Sequence, residues 1–233
     1  MKKIFPIFLL AILVLCGLTS CDDEYYYSED YTYVVENGGL TLISCNITTP
    51  EEIIIPESEN GKNVLSIDPM AFSNVVYEGQ YNKLKTVVVP NTVTYIGASA
   101  FEYCEALTSV TLSNSLTTMT SSLFLHCISL TSVVIPSSVK IIEGYVFRKC
   151  YNLENVVIPT SVTRINSSAF KIGITDNPGV FAHAYYEGRE EDFNKITIES
   201  YNNEELLNNV YYYSEEEREG NYWHYVNNVP TEW

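Results

Sequence analysis

Apolar residues recur along the middle of this chain with a fixed period of 23 residues. Four columns of positions follow the period: a leucine opens each unit, a branched or sulfur-containing residue lies in its middle, a phenylalanine lies near its end, and a proline, once serine, follows the first apolar run. The columns are Leu84, Leu107, Leu130 and Leu153; Ile96, Met119, Ile142 and Ile165; Phe101, Phe124, Phe147 and Phe170; and Pro90, Ser113, Pro136 and Pro159. Such a period predicts a stack of similar short units.

Within one unit the pattern predicts two short strands and a closing turn. The β-branched run from Leu130 to Ile135 predicts a strand, and Pro136 ends it because proline has no N–H for a ladder. A second extended piece covers residues 139–142, and a short helical turn then places Phe147 inside. One such unit, called a coil below, buries too little apolar area to offset the ordering of its backbone. The coils must therefore stack to fold.

The chain outside the clear repeats predicts caps. An irregular first coil begins near residue 50, with Asp68-Pro69 typical of a helix start, so we expect five coils over residues 50–173. Residues 31–49 alternate around Asn37-Gly38-Gly39 and predict a hairpin cap. Residues 174–233 predict a small C-terminal cap. Its expected elements are strands at 184–188, 210–214 and 222–226, an acidic loop at 215–220, and short helices at 190–195 and 204–208.

The full repeat pattern, Leu-x-x-Val-x-Ile-Pro-x-x-Val-x-x-Ile-x-x-x-Ala-Phe-x-x-Cys, resembles the BspA-type leucine-rich repeat. Residues 84–104 and 153–170 show it best, whereas the second clear coil departs with Ser113, Met119 and Leu123. The resemblance implies a β-rich, right-handed leucine-rich-repeat solenoid of short parallel strands and short helical turns, closed by a small α+β or all-β cap. It also implies a surface protein of a host-associated bacterium. Some members of the family are adhesins, and no particular ligand follows.

The N-terminus has the features of an export signal. Lys2 and Lys3 precede the apolar run Ile4–Leu15, which is too short to span a bilayer as a lone helix, so residues 1–20 are expected to be a signal peptide. The run ends in Leu18-Thr19-Ser20-Cys21, which resembles the bacterial lipobox and implies lipidation of the Cys21 thiol. The alternative is an ordinary signal peptide with a chance cysteine.

Residues 21–30 are rich in acidic side chains and predict a solvated tether. They resemble the signal that directs lipoproteins to the outer surface of the outer membrane in some Gram-negative anaerobes. In other bacteria an aspartate beside the lipidated cysteine retains the protein in the inner membrane, so both alternatives stay open. We expect a lipid anchor in the outer membrane, with the body exposed on the cell surface.

The charge of the chain excludes one class of partner. The formal net charge is −16; removal of residues 1–20 removes two lysines and no acidic residue, which leaves 11 basic and 29 acidic residues. A surface of this sign is a poor partner for nucleic acid, because phosphate binding requires basic patches.

Few residues carry reactive chemistry. Cys104, Cys127 and Cys150 share one repeat position, which indicates buried free thiols or, as an alternative, a metal or disulfide ladder. His126, His183 and His224 have no zinc-binding spacing, and no phosphate loop or nucleophile motif occurs. We therefore expect no catalytic residue, no metal, no cofactor and no enzyme activity.

Two surfaces are candidates for binding. Outward strand positions form two rows: Thr86, Ser109, Ser132 and Asn155, and Val88, Thr111, Val134 and Val157. These rows predict either a protein-binding face or plain strand-forming filler. The aromatic residues of the cap, with Tyr222, Trp223 and Tyr225 as the candidate contacts, predict a platform for a glycan or protein, or else packing on the last coil.

These features together predict a lipid-anchored surface protein that binds a host or neighbouring-cell protein or glycan without catalysis. The alternative is a structural or accessory subunit of a cell-surface complex. A hydrolase of surface glycans is a third hypothesis, for which the sequence offers no pair of carboxylates as acid and base.

Overall fold

We analysed a computed structural model that describes residues 25–77, 79–173 and 179–233. Cys21 and the rest of the expected signal and lipid-attachment site lie outside these ranges. The first half contains strands β1 Tyr25–Tyr27, β2 Tyr31–Glu36, β3 Gly39–Cys45, β4 Glu52–Ile54, β5 Ser58–Glu59, β6 Lys62–Ile67, β7 Thr86–Val88, β8 Tyr95–Ile96, β9 Ser109–Thr111 and β10 Thr118–Met119. The second half contains β11 Ser132–Val134, β12 Ile141–Ile142, β13 Asn155–Ile158, β14 Arg164–Ile165, β15 His183–Tyr186, α1 Glu190–Phe193, β16 Thr197–Ile198, α2 Glu204–Asn208, β17 Val210–Tyr213, β18 Tyr222–Val226 and β19 Val229–Glu232.

Each coil contributes one strand to each of two parallel columns. The first column contains β4, β7, β9, β11, β13, β15 and β17, and the second contains β3, β6, β8, β10, β12, β14 and β16. The molecule is therefore a β-solenoid of about seven turns, which confirms the predicted fold class. Residues 50–173, where five coils were predicted, contain five strands of each column. Parallel pairing also continues beyond both ends of this segment, to β3 on one side and to β15, β16 and β17 on the other.

A continuous phenylalanine stack forms the spine of the solenoid. Phe72, Phe101, Phe124, Phe147 and Phe170 are all fully buried. Neighbouring ring centroids lie 5.2, 5.7, 6.1 and 5.3 Å apart along the stack. The period places these rings one above another because each coil presents the same backbone position to the interior.

The closing turn of each coil is not a helix. In the described residues the two α-helices are α1 and α2, both in the C-terminal region, and Asp68-Pro69 begins a hydrogen-bonded turn. Backbone amides in these turns donate alternately to the next coil and to their own coil: Phe101 N donates to Leu123 O at 3.1 Å, and Glu102 N donates to Ser99 O at 3.1 Å. The short helical turns predicted here take the form of successive i to i+3 turns, and no regular α-helix forms in them because every second donor is used between coils.

The column ladders are interrupted around the coil that carries Ser113. No strand ladder joins β9 to β11 or β8 to β10, although β9 and β11 are in contact. At the departing position the buried Ser113 Oγ donates to Val93 O of the preceding coil at 2.5 Å. This side-chain hydrogen bond crosses the junction at which the β8–β10 ladder is missing, whereas the β9–β11 gap lies at the next junction.

A hairpin closes the N-terminal end. Strands β2 and β3 pair antiparallel through Asn37 and Gly38, whose φ angles of 51° and 79° are those of a type I′ turn. The prediction of a solvated tether over residues 21–30 was wrong for Tyr25–Tyr27, because this segment pairs antiparallel with β2. The Tyr26 ring lies 6.1 Å from that of the buried Tyr33, so aromatic packing favours a strand despite the acidic neighbours.

Candidate binding face

The outward positions of the first column form the two predicted rows. Strand register places Thr86 beside Ser109 and Val88 beside Thr111. It likewise places Ser132 beside Asn155 and Val134 beside Val157. The N-terminal strand β4 extends both rows with Glu52 and Ile54. Since successive side chains of a strand point to opposite faces, the intervening Val87, Val133 and Val156 fill the core.

Half of this face is open and half is covered. On β4, β9 and β11 the row positions are exposed, and Ile54 and Val134 retain 59% and 65% of their accessible surface. Thr86 and Val88 are half-buried. Val157, by contrast, is only 6% exposed, so its assignment to an accessible binding surface was wrong. The open face, as the term is used below, consists of the row positions on β4, β7, β9 and β11.

The C-terminal hairpin of β18 and β19 provides the cover. Trp223 is fully buried in a separate small core with Val157 and Tyr185, against which Tyr211 and Tyr213 pack. Its indole Nε1 donates to the Tyr186 carbonyl oxygen at 2.9 Å. Trp223 is therefore a packing residue of the cap and cannot contact a ligand directly, which corrects that part of the aromatic prediction. Tyr222 is half-buried and Tyr225 is 41% exposed.

Two polar contacts secure the hairpin over the sheet. The His183 ring lies between Asn155 Oδ1 at 2.8 Å and Glu232 Oε1 at 2.7 Å. On the same hairpin the Tyr225 hydroxyl donates to Glu187 Oε1 at 2.6 Å, and burial together with that carboxylate raises the pKa of Tyr225. Sequence reasoning missed His183 and Glu232, because only the fold brings residues of β15 and β19 together.

The cysteine column is structural. The thiols of Cys104, Cys127 and Cys150 are buried and free, and each donates to a phenylalanine carbonyl of the preceding coil at 3.0–3.3 Å. Burial raises the pKa of Cys150 to about 12 and the pKa of Cys45 to about 11. Such thiols are neutral donors at physiological pH and are poor nucleophiles.

Side chains that could ligate a metal are dispersed over residues 25–77, 79–173 and 179–233. Within these ranges no three or more His, Cys, Asp or Glu residues group closely enough to hold a metal ion. Nor does any helix of this part of the chain have the length and apolar character needed to cross a membrane. Besides the Glu52 carboxylate, the open face carries hydroxyl and aliphatic groups, which can form hydrogen bonds and apolar contacts.

Comparison with known proteins agrees with this geometry. Residues 73–174 match the family model for the BspA type leucine rich repeat region, in six copies. Residues 73–174 form a BspA-type leucine-rich repeat array. No curated protein matches it significantly.

Two solved structures resemble this chain over most of its length. One is a leucine rich cell surface protein from Faecalibacterium prausnitzii A2-165, with 30% identity and a TM-score of 0.64 over 76% of this chain and 43% of that protein. The other is the leucine rich repeat protein of T. pallidum, with 26% identity and a TM-score of 0.60 over 70% and 71% of the two chains. The chain thus spans less than half the length of the first.

Proposed function

We propose that this protein is a lipid-anchored cell-surface module that binds a host or neighbouring-cell protein on its open face. One observation carries the proposal: the row positions are exposed on β4, β9 and β11 and half-buried on β7, whereas the cap covers the same rows on β13 and β15. The open positions therefore differ from the end of the column in their access to a partner.

The chemistry of the open face supports a protein partner. Aliphatic groups at Ile54, Val88 and Val134 alternate with hydroxyls at Ser109, Thr111 and Ser132. Apolar contact gives affinity, while hydroxyls supply hydrogen bonds that fix the register of a partner. The backbone beneath is held by ladders and the phenylalanine stack, so binding orders little of this protein.

Surface display is the second part of the proposal. It is supported by the lipobox-like Leu18-Thr19-Ser20-Cys21, by the acidic residues that follow, and by likeness to a protein described as a cell surface protein. A lipid on Cys21 would hold the module at the membrane, with the solenoid reaching outwards. Acylation by more than one chain gives stable anchoring.

Binding is tested with two variants of one coil. The bait is the purified chain with Cys21→Ser, offered to libraries of host and neighbouring-cell surface proteins. Val134→Glu on the open face should weaken the recovered interaction at least about tenfold. Ile141→Glu, an outward aliphatic position on the second column, should leave it unchanged. Absence of any ligand, or equal loss in both variants, would contradict the proposal.

Display is tested on intact cells. Protease added outside should degrade the chain, and Cys21→Ser should release it from the membrane fraction. A chain that resists protease until the cells are lysed would place it inside the envelope and overturn the surface assignment. Crosslinking in intact cells distinguishes the binding module from the alternative of an accessory subunit. An accessory subunit would capture a co-expressed protein of the same cell instead of a host molecule.

A further inference from the structure

An insertion in an early coil forms an anchored loop beside the turn face, by which we mean the side of the solenoid made of the closing turns of the coils. Residues 75–82 have no counterpart in the later coils, and Tyr81 anchors them by packing fully buried against Phe72, with ring centroids 5.5 Å apart. Gln80 Nε2 donates to Cys45 O at 3.0 Å and to Ile47 O at 3.1 Å. The described part of the insertion is therefore fastened to both the core and the N-terminal hairpin.

Asn74 joins this anchored loop to the next coil. Its Oδ1 accepts from Tyr81 N, and its Nδ2 donates to Tyr103 O, both at 2.7 Å. One side-chain amide thus fixes the distance between the insertion and the backbone of Tyr103. A gap held open in this way is preorganised, which lowers the entropy that a ligand must offset.

The gap is an open pocket of about 290 Å³ lined by Asn74, Val75, Gly79, Asn82, Tyr103 and Glu105. The Tyr103 ring stacks on His126 of the following coil at 4.4 Å. The insertion belongs to the preceding coil, so the ring stands between His126 on one side and the pocket on the other. The volume of the pocket suits a ligand of about one ring, at the small end of the range for binding sites.

The polar groups at the rim are available to a ligand. Among the contacts of the described residues, none engages the Asn82 side-chain amide, and the exposed Glu105 carboxylate has His126 Nδ1 as its neighbour at 3.4 Å. An amide can donate and accept, whereas a carboxylate only accepts. With an aromatic face beside them, these groups match the C–H face and the hydroxyl edge of a sugar ring.

We propose that this pocket binds a neutral saccharide, with one sugar ring on Tyr103 and its hydroxyls on Asn82 and Glu105. An anionic sugar would be repelled by Glu105 and by a chain whose net charge is −16. The site is separate from the open face and does not depend on it.

The test uses the full chain with Cys21→Ser on an array of neutral oligosaccharides. A saccharide that binds should lose at least about tenfold in affinity with Asn82→Ala or Glu105→Gln, and all detectable affinity with Tyr103→Asn. Tyr103 has a positive φ of 59°, and asparagine tolerates this conformation, so the variant removes the ring without straining the backbone.

Matched controls separate the site from general damage. Tyr145→Asn removes another half-exposed tyrosine with φ of 63° from the turn face and should leave saccharide binding unchanged. Val134→Glu should also leave it unchanged, so failure of the open-face proposal is distinguishable from failure here. No binding on the array, binding that survives Tyr103→Asn, or Tyr103-dependent binding of tetramethylammonium in place of sugars would overturn the proposal.

Discussion

The Cys127 thiol donates a hydrogen bond to the carbonyl oxygen of Phe101, one coil earlier, with Sγ and O 3.2 Å apart. The same bond recurs from Cys104 to Phe72 and from Cys150 to Phe124. In these three coils the position holds a small group that is apolar enough to be buried and still has a hydrogen to donate, whereas other coils hold Val75 and Gly173 there.

Cys127→Ala should lower the free energy of unfolding by about 1–2 kcal/mol, because the Phe101 carbonyl loses its donor and a small void remains. Urea unfolding followed by circular dichroism measures this difference. Ser132→Ala on the open face removes one exposed hydroxyl and should change the free energy by less than about 0.5 kcal/mol. An equal effect of the two changes on the free energy of unfolding would contradict a stabilising role for the thiol hydrogen bond.

Phe124→Ala should cost about 3–5 kcal/mol, since it removes a buried ring that packs between Phe101 at 5.7 Å and Phe147 at 6.1 Å. Loss at mid-stack should also broaden the unfolding transition, because the coils on each side lose their shared contact. Thermal and urea unfolding measure both effects. Tyr95→Ala, half exposed on the second column, is the control and should leave the transition unchanged.

Asp68 should make stability depend on pH. Burial, and secondarily the charge of Glu36, raises the pKa of Asp68 from 3.8 to about 6. A carboxyl with a higher pKa in the folded state stabilises the fold when protonated, so its contribution is full below about pH 4 and is lost as the pH rises through 6.

Asp68→Asn should remove this pH dependence and make the protein more stable than the wild type at pH 7, with little difference at pH 4. Asn166 holds the repeat position of Asp68 in a later coil. Its backbone N–H donates to the preceding coil as that of Asp68 does, so an amide side chain fits at this position. Urea midpoints between pH 4 and 7.5 test this. Asp192→Asn, on the surface, should keep the wild-type slope; a slope that persists in Asp68→Asn would refute the assignment.

Trp223→Phe should loosen the C-terminal hairpin while leaving the central coils intact. The change leaves the Tyr186 carbonyl without its buried donor, at a cost of about 1–3 kcal/mol. Hydrogen exchange should speed up in β15, β18 and β19 and stay unchanged in β7–β12. Trp233→Phe removes a half-exposed indole bonded to Ser214 O at 3.2 Å and should have a smaller effect.

The sequence predicts the spine of the fold because the constraint repeats. Phe101 and Leu107 recur at a fixed spacing, so register and burial follow from counting. Val157 and Trp223 could not be predicted in the same way. Each obeys its local strand pattern, and they become buried against each other only because the β18–β19 hairpin, far along the chain, packs over β13 and β15. The pocket beside Tyr103 depends likewise on an insertion that interrupts the period. Periodic positions are predictable, whereas the positions that distinguish coils are set by contacts outside the repeat.

The two closing hairpins differ from the coils that they enclose, and this has a consequence for variation of the protein. A duplicated 23-residue segment inserted between coils would meet surfaces identical to those it left, so the stack could lengthen by about 4.8 Å per added turn without disturbing either terminus. Recombination can therefore enlarge or shorten the open face by whole coils without changing the kinds of side chain that it presents.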